Sequence, residues 1–147
     1  MKAVLQRVSS AEVSVNSQIV GSIEEGLMVY LGFGHDDTEV RVDMLVEKIS
    51  KLRIFSNEQG KFDLSILDVK GELLVVPQFT LFADTSGRRP SFFEAASPEI
   101  AKQLFGLTVE RFCESEITKV ESGIFGAHMS VQSVNNGPVT ILFDDKI

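Results

Sequence analysis

From Leu27 to Phe33 the chain is continuously apolar, and glycines bound the run at Gly26 and Gly34. A strand with one face in water alternates polar and apolar residues, whereas a strand covered on both faces has no need to. The run therefore predicts a central strand with packed layers on either side. It is far shorter than the roughly 18 residues that a membrane-spanning helix requires, so it points to a buried sheet. A chain of 147 residues suits a single core of this kind, and residues 1–147 are expected to form one domain.

Around that strand the pattern is mostly β, with two helices. Ala11, Val13 and Val15 alternate with Glu12, Ser14 and Asn16, and Ile19 and Ile23 follow a polar turn, so residues 1–23 read as three short strands. From Thr38 the period changes to about 3.6, with Val42, Leu45, Val46, Ile49 and Leu52 on one face. Asp37 or Thr38 is placed to cap this helix. Short strands are expected at 53–55 and from Phe62 on. Leu73 to Phe82 is a long apolar segment interrupted by Pro77, which cannot donate to a ladder and so marks an edge, a bulge or a strand end. Ser97-Pro98-Glu99 has the chemistry of a helix start, and Ala101, Leu104, Phe105, Thr108 and Phe112 then share a face. Late strands are expected near 117–121, 127–134 and 139–143, the last two joined through Asn136-Gly137, a strong hairpin signal.

Composition narrows the chemistry. Cys113 is the only cysteine, which leaves no intramolecular disulfide and suits a reducing compartment. The first residues, MKAVLQRVSS, carry no signal-peptide pattern, so a cytoplasmic, soluble protein is expected. A net charge of −7 argues against a general DNA or RNA binder, whose affinity for phosphates rests on Lys and Arg. His35 and His128 form no metal-ligand spacing, so no metal and no cofactor are expected. Asp36 and Asp37 precede a helix, where aspartates cap and meet solvent. With no triad and no phosphate loop, any catalysis must rest on backbone groups and hydroxyls.

Two segments carry a resemblance. Pro77-Gln78-Phe79-Thr80-Leu81 and Asn135-Asn136-Gly137-Pro138-Val139-Thr140 resemble the two signature motifs of the D-aminoacyl-tRNA deacylases, normally SQFTL and NxGPVT. The likeness runs through Gln6-Arg7-Val8, Arg53-Ile54-Phe55, Gly87-Arg88-Arg89-Pro90-Ser91-Phe92 and Phe125-Gly126-Ala127 with Met129. It implies an α+β fold, a mainly antiparallel or mixed, barrel-like sheet with two main helices. It also implies a homodimeric enzyme that hydrolyses D-aminoacyl-tRNA, and glycyl-tRNA mischarged on the alanine tRNA, at the 3′ end of the aminoacyl-tRNA. No membrane and no DNA partner is implied.

The resemblance also implies roles. Backbone N–H groups near Gln78 and Phe79 would face the oxyanion of ester hydrolysis, and Thr80 would position rather than attack. Gly137-Pro138 would be a cis peptide whose carbonyls reach the partner subunit and bind the substrate's α-ammonium, so that an L side chain is excluded. Arg7 would brace that segment, and Phe125 and Met129 would line the pocket for the terminal adenosine. Pro77 stands where the family usually has Ser, as in a related animal branch of more relaxed discrimination, whereas Phe79, Val139 and Arg7 side with the D-specific group. A catalytically idle module that binds RNA ends or a small amine is the alternative.

Overall fold

In the computed structural model, residues 1–144 are described. Strand β1 (Lys2–Val15) turns at Asn16 and Ser17 into β2 (Gln18–Ile23) and is followed by β3 (Gly26–Gly32), helix α1 (Glu39–Lys51) and the small hairpin β4 (Phe55–Ser56) and β5 (Phe62–Leu64). Strand β6 (Glu72–Pro77), a short 3-10 turn (Phe79–Phe82), α2 (Pro98–Glu114), β7 (Lys119–Ser122) and β8 (Ser130–Asp144) complete the order. The main sheet runs β2-β1-β3-β6-β7, with β8 on the other edge of β1. The β3–β6 and β6–β7 pairs are parallel and the β1 pairs antiparallel, so the sheet is mixed. It curls until β7 comes alongside β2, where Lys119 Nζ donates to the Ser22 carbonyl at 2.6 Å. The result is a nearly closed barrel with two helices outside it.

The apolar run at 27–33 is buried on both faces because two cores meet at β3. Leu27, Val29, Leu31 and Phe33 pack with Leu73 and Val75 under Leu45, Ile49, Leu104, Phe105 and Phe112 of the helices. Met28 and the half-buried Tyr30 point the other way, into the barrel, with Val8, Val13, Leu74 and Val76. Full burial of one such side chain contributes about 1.5–3 kcal/mol, and β3 supplies several to each core. Burial also pushes the Tyr30 phenol above its ordinary pKa.

Three local expectations need correction. Residues 1–23 form two strands, not three: β1 is a single 14-residue strand. Its buried positions change phase, from Ala3 and Leu5 on the helix side to Val8, Ala11 and Val13 in the barrel, which makes one curved strand look like two in the sequence. The late hairpin does not exist, since β8 is a continuous 15-residue strand along β1. Asp37 is not solvated. Its carboxylate accepts from the Met1 ammonium at 2.6 Å and from the Gly34 N–H at 2.7 Å in a buried site, while Thr38 takes the cap position of α1 without a side-chain bond. Ser97 does cap α2, its hydroxyl accepting from the Ile100 N–H at 3.4 Å. No helix among the described residues is long and apolar enough to cross a membrane.

Gly26 opens β3 where the parallel neighbour comes closest: a Cβ built there would lie 1.8 Å from the Glu72 carbonyl oxygen. Backbone cannot yield as a flexible side chain does. Gly26→Ala is expected to destabilise the fold by about 1–3 kcal/mol through overpacking, read as a lower urea midpoint. An unchanged midpoint would show that the β3–β6 contact is looser than these positions imply.

Candidate active site

The parallel strands β3, β6 and β7 end together, and the segment 78–82 hangs from their ends. Pro77 closes β6. The Gln78 N–H donates to the Leu31 carbonyl at 2.7 Å, the last tie to β3, and the chain then tightens into a 3-10 turn in which the Leu81 N–H donates to the Gln78 carbonyl at 3.3 Å. The long apolar segment 73–82 is thus a strand followed by a turn, and Gln78 and Thr80 are not strand residues. In any such turn the first N–H groups have no partner within it. Here those are the N–H groups of Phe79 and Thr80. Of the N–H groups near Gln78 and Phe79 expected to face an oxyanion, that of Gln78 donates to the Leu31 carbonyl, and those of Phe79 and Thr80 have no partner within the turn.

Gln78 contributes its side chain instead. Its Nε2 donates to Thr80 Oγ1 at 2.5 Å. A hydroxyl that accepts from an amide directs its own proton elsewhere and acts as a donor. Both residues are at the surface, and the ring of Phe79, 55% exposed, meets that of Phe92 edge-on with centroids 5.1 Å apart. Close by, Gly123 at the end of β7 donates its N–H to the Val75 carbonyl at 2.9 Å. A Cβ there would lie 2.7 Å from Met129 Sδ and 3.4 Å from Pro77 Cδ. Met129 therefore borders the strand ends that carry the turn. Phe125 lies half-buried against Phe105, centroids 6.1 Å apart, and joins the helix-side core.

The second motif is a bulge. On β8, Thr140 faces Gln6 and Asn135 faces Val8, so Asn136 to Val139 have no partner on β1 and stand out opposite Arg7. The Gly137–Pro138 peptide in the bulge is cis, and Gly137 has φ +135°, a conformation L side chains rarely adopt. A Cβ on Gly137 would also come within 2.9 Å of Val139 N and 3.2 Å of Arg7 Nη2. Arg7 follows Ala3 and Leu5 onto the helix side. Its Nε donates to the Asn136 carbonyl at 3.0 Å and its Nη1 to the Ile54 carbonyl at 2.8 Å, and its guanidinium lies 5.6 Å from the Phe62 ring centroid. The anchor at Ile54 was not foreseeable, because a backbone acceptor leaves no mark in the sequence.

The two motifs do not meet within one chain. Gln78 is tied to Leu31, whereas Arg7 pairs with Leu27, four residues away along β3 or about 13 Å, with β8 on the far side of β1. Clefts of about 390 Å³ along α1 and about 460 Å³ between β1, β2 and β8 are lined by neither motif. Among the described residues no group of three or more His, Cys, Asp or Glu is placed to hold a metal ion.

Residues 4–144 match the family model described as D-Tyr-tRNA(Tyr) deacylase. A D-aminoacyl-tRNA deacylase of Thermosipho melanesiensis is 52% identical over 147 residues, covering 99% of this chain and 98% of the relative. One of Aquifex aeolicus is 54% identical, with 99% of each chain covered. Among solved structures, the c-Myc DNA unwinding element binding protein superposes with a TM-score of 0.93 at 36% identity over 100% of both chains. A probable eukaryotic D-amino acid tRNA deacylase, at 18% identity and a TM-score of 0.88 over 97% of each chain, shares the fold.

Arg7→Met keeps the aliphatic stem and removes both charged hydrogen bonds. It is expected to cost about 1.5–3 kcal/mol and to speed amide exchange at residues 134–140, measured by hydrogen–deuterium exchange. Unchanged exchange there would show that the bulge holds itself without Arg7.

Proposed function

The chain belongs to the D-Tyr-tRNA(Tyr) deacylase family, and on that premise we propose that it hydrolyses the ester between tRNA and a D-amino acid. The observation that carries this reading is the turn at Gln78 to Thr80, where a hydroxyl poised as a donor stands beside two first-turn N–H groups. Donors fixed ahead of the reaction stabilise a developing oxyanion without reorganising, and losing one commonly costs about 10²- to 10³-fold in rate. Water adds to the ester carbonyl, assisted by the 2′-hydroxyl of the terminal ribose, and the negative charge collects on the carbonyl oxygen before these donors. The carbon–oxygen bond to the ribose then breaks, the ribose oxygen takes the proton, and free D-amino acid and tRNA leave. Among the described residues Thr80 Oγ1 is hydrogen-bonded to the Gln78 amide, which is no base, and an unactivated hydroxyl is a weak nucleophile, so Thr80 positions the intermediate rather than forming a covalent one.

Chirality is read by exclusion. The carbonyls of Gly137 and Pro138, supplied by a second copy of the chain, accept from the substrate's α-ammonium. With ammonium and ester carbonyl both held, an L side chain meets protein, a D side chain points outward, and glycine passes. The distance between the motifs in one protomer supports a homodimer, as does β8, an edge strand with Val134 59% and Leu142 77% exposed. Such an edge is rarely left uncovered. Phe125 and Met129 line the adenosine side of the pocket. The setting that fits is the cytoplasm, where aminoacyl-tRNA is used.

A binding module is the second reading, favoured by the structural relative named for binding a DNA unwinding element. With a net charge of −7, this chain offers duplex phosphates little attraction. Incubation with D-Tyr-tRNA and L-Tyr-tRNA separates the readings: an enzyme frees tyrosine from the first, and a binding module leaves both intact. Thr80→Ala is expected to lower kcat by up to about 10²-fold without abolishing it, and an acyl-Thr80 adduct in mass spectrometry would restore the nucleophile. Light scattering is expected to show a dimer at assay concentration. An active monomer would remove the cross-subunit role of Gly137 and Pro138.

A further inference from the structure

Directly after the 3-10 turn the chain folds back on itself. The Asp84 N–H donates to the Ser91 carbonyl at 2.8 Å, and the Ser91 N–H returns the bond to the Asp84 carbonyl at 3.0 Å. Thr85 to Pro90 thus form a closed, exposed loop with Arg88 and Arg89 at its end. We propose that this loop is the phosphate-binding element of the chain, its two arginines receiving phosphodiesters of the single-stranded RNA 3′ end whose terminal ester is presented to Thr80. The inference rests on the reading of the preceding subsection and adds to it the part of the chain that holds the nucleic acid.

The accounting of positive charge favours this loop. Lys51 is paired with Glu47, Arg53 with Asp63, and Arg111 with Asp43 and Glu114, while Lys119 lies near Glu72 and Glu121. Arg7 is spent on two carbonyls. Lys2 lies over the Phe82 ring, and Lys48, Lys61, Lys70 and Lys102 have no ion pair among the described residues, but each of these stands alone in the sequence; Arg88 and Arg89 are exposed, adjacent and likewise without an ion-pair partner among the described residues. At the loop's base Asp84 Oδ1 accepts from the Ser86 N–H at 2.9 Å, a bond that helps to close the loop and holds the Asp84 carboxyl below its ordinary pKa. In a chain of net charge −7, long-range attraction for RNA is absent, so binding must come from a local contact. A guanidinium is suited to that, because its planar fork matches phosphate oxygens in pairs.

Position agrees with charge. The Ala83 N–H donates to the Thr80 carbonyl at 3.1 Å, and Phe92 at the loop's base packs edge-on against Phe79, so the loop is rooted on the turn itself. From Asp84 to Arg88 the chain spans at most about 14 Å, within reach of the nucleotides next to the esterified one. Phe93, 86% exposed, follows with its carbonyl 2.5 Å from His35 Nε2. It offers an exposed ring four residues after Arg89, and cations with aromatics are the combination by which single strands are held.

The test uses the full chain and an unacylated RNA hairpin that ends in the single-stranded acceptor sequence, with binding read by fluorescence anisotropy across a range of KCl concentrations. Two phosphate contacts on a single strand contribute roughly 1.4 to the slope of log affinity against log salt, at about 0.7 each. The Arg88→Gln/Arg89→Gln double variant is expected to lose that amount and the Arg88→Lys/Arg89→Lys variant to keep most of it, while Phe93→Ala weakens binding with the slope intact. In parallel, the ratio of kcat/KM for D-tyrosyl-tRNA to that for the D-tyrosyl ester of adenosine, which has no phosphate, is expected to fall in the glutamine variant through KM. An unchanged slope overturns the proposal, and so does a constant ratio because both esters suffer alike. If the parent chain cleaves neither ester, the deacylase reading fails, and the anisotropy slope still decides whether the arginines hold RNA.

Discussion

Strand β1 is hydrogen-bonded along both edges, to β3 and β2 on one side and to β8 on the other. A strand paired on both edges cannot slip without breaking two ladders at once, and a slip of one residue would send every side chain to the wrong face. Its register therefore sets everything laid against it. Because β1 passes from the helix side into the barrel between Leu5 and Val8, its partner β8 cannot follow residue for residue, and the mismatch is absorbed as the bulge at Asn136 to Val139. Arg7 sits at that crossing and ties the bulge to the Ile54 carbonyl. The exposed Gly-Pro segment is thus supported by the most constrained strand in the molecule.

The other motif depends on the parallel part of the same sheet. Parallel strands end on the same side, and the free backbone groups beyond their ends are where such sheets commonly place ligands. Here β6 ends at a proline, one hydrogen bond from Gln78 to Leu31 fixes the direction of departure, and the chain closes at once into a 3-10 turn. The order of events is physical. Pro77 ends β6, Leu31 takes the first available N–H, and the next donors, on Phe79 and Thr80, have no partner within the turn. Gln78 then orients the one hydroxyl in reach.

One motif stands on an edge-strand bulge and the other at the parallel strand ends, about 13 Å apart along β3. In the proposed reaction this would separate two tasks: donors held by the rigid core would meet the reacting ester, and a second copy of the chain would bring the Gly137-Pro138 segment to the substrate's ammonium from the opposite side. A net charge of −7 is compatible with an RNA substrate on that reading, because only the end of the RNA would enter.

Much of this was legible in the residues alone. The continuous apolar run predicted a strand buried on both faces, the period of about 3.6 located both helices, and Ser97-Pro98 marked the start of α2, because these features depend on neighbours within a few positions. Two motifs located the candidate residues for the same reason. What the sequence could not convey depends on contacts between distant segments. Asn136-Gly137 reads as a hairpin in isolation, yet β1 runs past it as a continuous template, and the ladder on both sides prevails over the local turn preference. The N–H groups near Gln78 read as free donors until the Leu31 carbonyl is brought to the first of them. Asp37 reads as a solvated cap until the Met1 ammonium is buried beside it. In each case local propensity, worth around 1 kcal/mol, is outweighed by a hydrogen bond or ion pair whose partner is known only once the chain has folded.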